Sequence, residues 1–93
     1  MAKSIMQSEK VCYLSGRTDW LEKHHLYQGA NRKLSEKYGL WVYLNHYWHN
    51  EPPNGVHFNK ENMEYLHKKG QEAFEKVHGT REDFMRIFGR NYL

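Results

Sequence analysis

The chain has 93 residues and a formal net charge of +3 at pH 7, and its mean hydropathy is −1.00. This length predicts one domain with a single core of modest stability. The sequence has no run of about 18 apolar residues, which excludes a membrane-spanning helix, and its first residues lack the apolar stretch of a signal peptide. We therefore expect a cytoplasmic protein without a membrane partner.

Cysteine content and charge narrow the function classes further. The single cysteine, Cys12, excludes an internal disulfide and fits a reducing compartment. A net charge of +3 permits a polyanionic partner such as nucleic acid, although proteins that bind no nucleic acid often carry the same charge.

The first part of the chain predicts a flexible segment followed by a strand. Residues 1–10 are polar and are predicted to form a flexible N-terminus, and residues 11–18 a short extended piece with a turn. A strand is predicted over residues 21–27. It places His24 and His25 on opposite faces, because successive side chains alternate along a strand.

The middle of the chain predicts a second strand at the end of a long connection. A short helix is expected over residues 32–38, and Gly39 ends it. The aromatic and β-branched residues 41–44 predict the second strand. Residues 50–55 include Pro-Pro-Asn-Gly, so they are predicted to form a turn-rich loop.

The last third of the chain predicts two helices. Apolar residues recur at spacings of three and four between Met63 and Val77, and Asn59 is the expected N-cap. Gly70 lies on the apolar stripe, where the missing side chain permits another element to approach closely. Thr80 opens a capping box for a short last helix. The predicted fold is α+β: a β-hairpin with a long loop, then a helix and a short C-terminal helix.

Histidine placement is the most informative feature of the sequence. The chain contains seven histidines, among them the adjacent pair His24 and His25, followed by His49 and His57. Such a set can supply two or three imidazoles to a divalent metal ion and leave one as a general base. The other three stand in polar surroundings and are interpreted as ordinary surface residues: His46, His67 and His78.

Three segments of the sequence together resemble a known family. The stretch E-K-H-H-L-Y-Q-G from Glu22, the strand G-L-W-V-Y-L from Gly39 and the H-N from His49 resemble HNH endonucleases of the ββα-metal fold. The likeness is strongest to small phage and prophage HNH proteins. It implies a single HNH-like domain over residues 11–93 that acts as a metal-dependent DNA endonuclease or nickase of phage origin.

The resemblance also implies roles for the four histidines. His25 would be the general base that deprotonates the attacking water, and His24, His49 and His57 would bind a divalent metal ion such as Mg²⁺ or Mn²⁺. His24 and His25 could exchange these roles. Three basic residues clustered along the chain are the candidates for contacts with DNA phosphates: Arg32, Lys33 and Lys37.

The sequence departs from the family at the structural zinc site. Zinc-bearing members use two Cys-x-x-Cys pairs, and the corresponding segments here are C-Y-L-S from Cys12 and N-H-Y-W from Asn45. One thiolate of four remains, so we expect no structural zinc. We expect Tyr13, Tyr47 and Trp48 to replace the metal bonds by aromatic packing.

A second departure concerns the middle Asn of the family, which orients the general base. It would fall near Gly39 or Leu40, where no Asn stands. Three asparagines in loops are the candidate substitutes: Asn31, Asn50 and Asn54.

Two principal hypotheses follow. The first is a nuclease, which the four histidines favour. The second is a non-catalytic protein on the same scaffold, such as a phage anti-defence inhibitor of the anti-CRISPR type that binds a host defence protein, which the lost thiolates and the missing Asn favour. A third hypothesis, a plain DNA-binding module, requires only basic residues that contact phosphates: Arg32, Lys33, Lys37, Lys68 and Lys69.

Overall fold

Two short antiparallel strands form the sheet on which the helices pack, in a computed structural model that describes residues 2–93. Strand β1 (Leu21–His25) pairs with strand β2 (Trp41–Asn45). β1 ends two residues before the predicted strand does, and the side chains of those two residues, Leu26 and Tyr27, are buried in the core. The predicted α+β class with a β-hairpin is confirmed at this level.

The connection between the strands contains a short helix, as predicted. After one turn of 3-10 helix over Gly29–Asn31, helix α1 runs over Arg32–Lys37. Gly39 follows with φ +72°, and a Cβ at this position would collide with the backbone carbonyl of Lys3. A glycine is therefore required here both by the left-handed backbone and by the close approach of the N-terminal segment.

A five-residue helix, α2 (His46–Asn50), directly follows β2 where no helix was predicted. The side chain of Asn45 caps it by accepting a hydrogen bond from the Tyr47 backbone N–H at 3.0 Å. A helix this short does not show a 3.6-residue period, so the hydrophobic pattern carries no signal for it. Its position matters because α2 carries His49.

The two C-terminal helices begin at the predicted caps. Helix α3 (Lys60–Val77) starts after Asn59, whose side chain accepts from the Asn62 backbone N–H at 2.9 Å. Helix α4 (Arg81–Phe88) starts with a capping box that Thr80 closes with the third residue of the helix. Among residues 2–93, no helix combines the length and the apolar character needed to cross a membrane.

The core lies between the sheet and the last two helices. At Gly70, an added Cβ would lie 2.6 Å from the Tyr27 hydroxyl oxygen, so α3 makes the close approach that the glycine predicted. Phe74 is buried, and its ring packs edge-on against Phe84 with ring centroids 5.4 Å apart. The same cluster includes apolar side chains from the segment after β1, the residue before β2, β2 itself and α3: Leu26, Leu40, Val42, Leu44 and Leu66.

The N-terminal segment, for which a flexible N-terminus over residues 1–10 is predicted, makes specific contacts with the rest of the chain. The backbone N–H of Ile5 donates to the Gly39 carbonyl at 2.9 Å, and the Gln7 side chain accepts from the Tyr43 backbone N–H at 2.7 Å. Ile5 and Met6 also pack against the core. Residues 2–7 therefore lie along the free edge of β2. The polar composition of the segment does not predict these contacts, because they involve backbone groups. Met1 lies outside the described residues.

Candidate metal centre

Three histidines from separate parts of the chain converge on one point. His24 lies on β1, His49 on α2 and His57 in the loop before α3. His24 Nδ1 lies 3.3 Å from His49 Nε2, and His57 Nε2 lies 3.2 Å from the same atom. One ring nitrogen of each residue lies within 4.8 Å of the other two, so the three together could hold a metal ion. We call these three residues the histidine cluster.

The spacing of these nitrogens fits coordination by one ion. Nitrogen ligands about 2.0–2.1 Å from a tetrahedral ion are separated from one another by about 3.3 Å. The two measured separations are 3.3 and 3.2 Å. Imidazole is a preferred ligand of Zn²⁺, Ni²⁺ and Cu²⁺, whereas Mg²⁺ prefers oxygen. The donor set and its spacing therefore fit a divalent transition ion.

His24 is held in the neutral form. It is buried, at 1% exposure, and its Nε2 has no hydrogen-bond partner among residues 2–93. Burial, with His49 and His57 nearby, lowers the pKa of His24 to about 3. A neutral imidazole keeps one lone pair, so with its proton on Nε2 His24 offers a cation its Nδ1, the nitrogen that lies 3.3 Å from His49 Nε2.

This burial predicts acid sensitivity of the metal-free protein. The pKa of His24 is 6.5 in its unperturbed state and about 3 in the fold, so the unfolded chain binds the proton first. In EDTA, the free energy of unfolding should fall below pH 6.5 by up to about 1.4 kcal/mol per pH unit. Urea unfolding followed by circular dichroism measures this slope. His24→Asn should reduce it and the exposed control His78→Ala should not; equal slopes in wild type and His24→Asn would contradict the assignment.

Glu22 contacts the ring nitrogen of His49 that does not face the histidine cluster. One of its oxygens lies 2.9 Å from His49 Nδ1 and accepts from Asn50 Nδ2 at 2.9 Å, and the other lies 2.9 Å from His46 Nδ1. Burial raises the pKa of Glu22, but these hydrogen bonds lower it by more, so the carboxylate is ionised. It holds the proton of His49 on Nδ1 and turns the Nε2 lone pair toward the cluster. Sequence reasoning missed Glu22, although its i, i+2 spacing from His24 on a strand places both on one face.

Two histidines interpreted as ordinary surface residues are in fact packed. His46 stacks on Trp20 with ring centroids 4.3 Å apart, and the Glu22 carboxylate raises the pKa of its imidazole. His67 is half-buried and stacks on Tyr27 at 5.4 Å. His46 therefore belongs to the support of the centre, and His67 belongs to the edge of the core.

His25 lies on the opposite face of β1 from His24 and has different partners. Its Nε2 lies 2.8 Å from Glu36 Oε1, and Arg32 Nε donates to its Nδ1 at 3.3 Å. Because a carboxylate only accepts, Nε2 carries the proton and Nδ1 presents the lone pair. Lys23, at 2.7 Å, and then His25 lower the pKa of Glu36, so its carboxylate is charged.

One cavity of about 250 Å³ joins these groups. Its walls include the whole histidine cluster, His25 and Arg32. Of the residues predicted to contact DNA, Arg32 therefore lies at the site, whereas Lys33 and Lys37 are exposed on α1 and do not line this cavity.

The asparagines proposed as substitutes for the missing Asn bond elsewhere. Asn31 donates to the Phe88 carbonyl at 3.0 Å, Asn50 supports Glu22, and the Asn54 carbonyl accepts from Asn62. None of these bonds reaches His25, and the side chain that orients its ring is Glu36. No motif in the sequence pointed to Glu36, because it lies on a separate helix.

Cys12 lies in the segment where aromatic packing is expected to replace the structural zinc site. Cys12 is buried, and its carbonyl accepts from the Gly16 N–H at 2.8 Å in a tight turn. Tyr13 and Trp48 pack against the core as expected. Tyr47 differs, since it is 48% exposed and meets Trp20 and His46 edge-on outside the core cluster.

The comparison with known proteins assigns no function to this chain. No protein-family model, characterised protein or solved structure matches the chain. The geometry itself defines a group of three imidazoles able to hold a metal ion, beside a fourth imidazole held by a carboxylate.

Proposed function

We propose that the protein is a metal-dependent nuclease of the HNH type that hydrolyses phosphodiester bonds in DNA. The observation that carries this proposal is that the histidine cluster shares one cavity with His25 and Arg32. A metal site, a general base and a phosphate-binding cation around one small space are the groups that phosphodiester hydrolysis requires. The resemblance to HNH endonucleases in the sequence supports the same activity.

The histidine cluster would hold the ion. When bound, a divalent transition ion would supply positive charge to polarise the phosphate and stabilise the leaving oxygen. Three imidazoles leave a ligand position open for substrate, as catalytic metal sites require. Glu22 would keep His49 in the tautomer that binds.

His25 and Glu36 would accept and stabilise the proton, and Arg32 would bind the phosphate. His25 Nδ1 would take the proton of the attacking water once the Arg32 guanidinium moves from Nδ1 to a phosphate oxygen. Glu36 would keep the other ring proton on Nε2 and stabilise the imidazolium that forms. Glu36 is thus a positioning residue that replaces the missing Asn.

Metal affinity gives a first quantitative prediction. We expect the metal-free protein to bind one Zn²⁺ or Co²⁺ per chain, and His49→Ala to abolish this binding because it removes the nitrogen that faces both partners. Glu22→Gln should weaken binding about 10–100-fold, the usual effect of losing a carboxylate behind a ligating histidine. Isothermal titration calorimetry measures both effects. His78→Ala is the matched control, and equal binding by wild type and His49→Ala would contradict the site.

The activity itself is tested with supercoiled plasmid, linear duplex and single-stranded DNA, each with Zn²⁺, Ni²⁺, Co²⁺, Mn²⁺ or Mg²⁺. We expect cleavage that EDTA abolishes and that transition ions support better than Mg²⁺. If the protein binds metal but cuts none of these substrates with any ion, the nuclease proposal is overturned and the non-catalytic hypothesis replaces it.

A further inference from the structure

A second and larger cavity lies directly beside the metal centre. It is an open groove of about 750 Å³ between the first turns of α3 and residues 90–93, and His57 lines both this groove and the smaller cavity. Its volume is within the range of pockets that bind ligands. The two spaces therefore adjoin at the His57 side chain.

The groove carries three cationic side chains and one anionic side chain, Glu64. Lys60 lies 3.8 Å from Glu64, so these two charges compensate each other. Lys68 and Arg90 also line the groove, and within the described part of the chain neither forms an ion pair. The Arg90 guanidinium lies 4.4 Å over the Tyr92 ring, which supports its plane and leaves its N–H groups available to an anion.

The groove also carries an exposed aromatic ring. Phe58 directly follows His57 in the chain and is 61% exposed, so most of its ring is not used by the core. Proteins that track a single polynucleotide strand combine cations that meet the phosphates with aromatic rings on which the bases stack. A duplex offers its phosphates but keeps its bases stacked on one another, so Phe58 would have no base to bind.

We propose that this groove binds the unpaired nucleic-acid strand on one side of the cleaved phosphodiester. Lys68 and Arg90 contact its phosphates, and a base stacks on Phe58. The proposal rests on the proposed nuclease function for the position of the cleaved bond, and it adds that the nucleotides next to that bond are single-stranded. Lys33 and Lys37, by contrast, line neither this groove nor the cavity at the metal centre.

Binding without cleavage tests this inference separately from the activity. Fluorescence anisotropy in EDTA is measured with a labelled single-stranded oligodeoxynucleotide of about 16 nucleotides, and with a duplex of the same sequence. We expect the wild type to prefer the single strand. Phe58→Ala should weaken single-strand binding about 5- to 150-fold and leave duplex binding unchanged. The double variant Lys68→Ala/Arg90→Ala should lower the salt dependence for the single strand by about 0.7 per lost cation.

Lys76→Ala is the matched control, because Lys76 is exposed on α3 and does not line the groove. Absence of DNA binding by the wild type, or unchanged binding by the groove variants, would overturn the proposal. Equal losses for single strand and duplex in Phe58→Ala would overturn the unpaired-strand assignment. If the wild type cleaves DNA and the groove variants keep the same KM, the role of the groove is overturned and the nuclease function is not. If binding depends on the groove but no cleavage occurs, the nuclease function is overturned and the role of the groove is not.

Discussion

Replacing His25 by alanine should reduce the rate of DNA cleavage about 10²- to 10⁴-fold, the usual contribution of a general base. The substitution removes the Nδ1 lone pair that faces Arg32, while the metal affinity should persist because His25 is not part of the histidine cluster. The fold should also persist, since the ring is at the edge of the sheet and contacts polar partners. Nicking of supercoiled plasmid under single-turnover conditions measures the rate, and calorimetry measures the metal affinity.

The control for this experiment is His78→Ala. His78 is exposed after α3, and its Nε2 lies 2.8 Å from the Tyr38 carbonyl, away from the cavity at the metal centre. His67 is unsuitable as a control because it is half-buried against Tyr27 and lines the groove proposed to bind nucleic acid. Glu36→Gln should lower kcat with little change in KM, since it alters how His25 is held and not how DNA binds. Equal cleavage by wild type and His25→Ala would refute the assignment of the base and identify the activity as contamination.

Phe74→Ala should lower the free energy of unfolding by about 3 to 5 kcal/mol, the range for removing a buried phenylalanine. Phe74 is 1% exposed, and its ring contacts Tyr38, Phe84 and Phe88 with centroids 5.4 to 6.1 Å apart. Alanine would leave a cavity where the helices meet. Small domains have a total stability of about 5–15 kcal/mol, so little margin would remain. Urea unfolding and thermal melts measure the loss.

Val77→Ala is the control for this prediction, because Val77 lies on the same helix and is 58% exposed. It should change the stability by less than about 0.5 kcal/mol. A thermal melt of Phe74→Ala that coincides with the wild-type curve would show that α3 does not pack on the core through this face.

Local signals in the sequence predicted most of the fold. Helix α3 was predicted from its apolar period and from Asn59, and α4 from the capping box of Thr80. These features depend on residues three or four positions apart, so a single sequence displays them. Helix α2 is too short for such a period. The N-terminal edge is held by long-range bonds from Ile5 and Gln7, which leave no local pattern.

The candidate site also combines features that local sequence patterns predict with features that they do not. The opposite faces of His24 and His25 follow from the sequence alone, since this alternation is a property of the extended backbone. The contacts of Glu36 with His25 and of Glu22 with His49 become visible in the folded chain, because these partners are 11 and 27 positions apart. Their contacts depend on how the hairpin closes and where α1 and α2 pack. The spacing of residues along the chain does not predict these long-range arrangements.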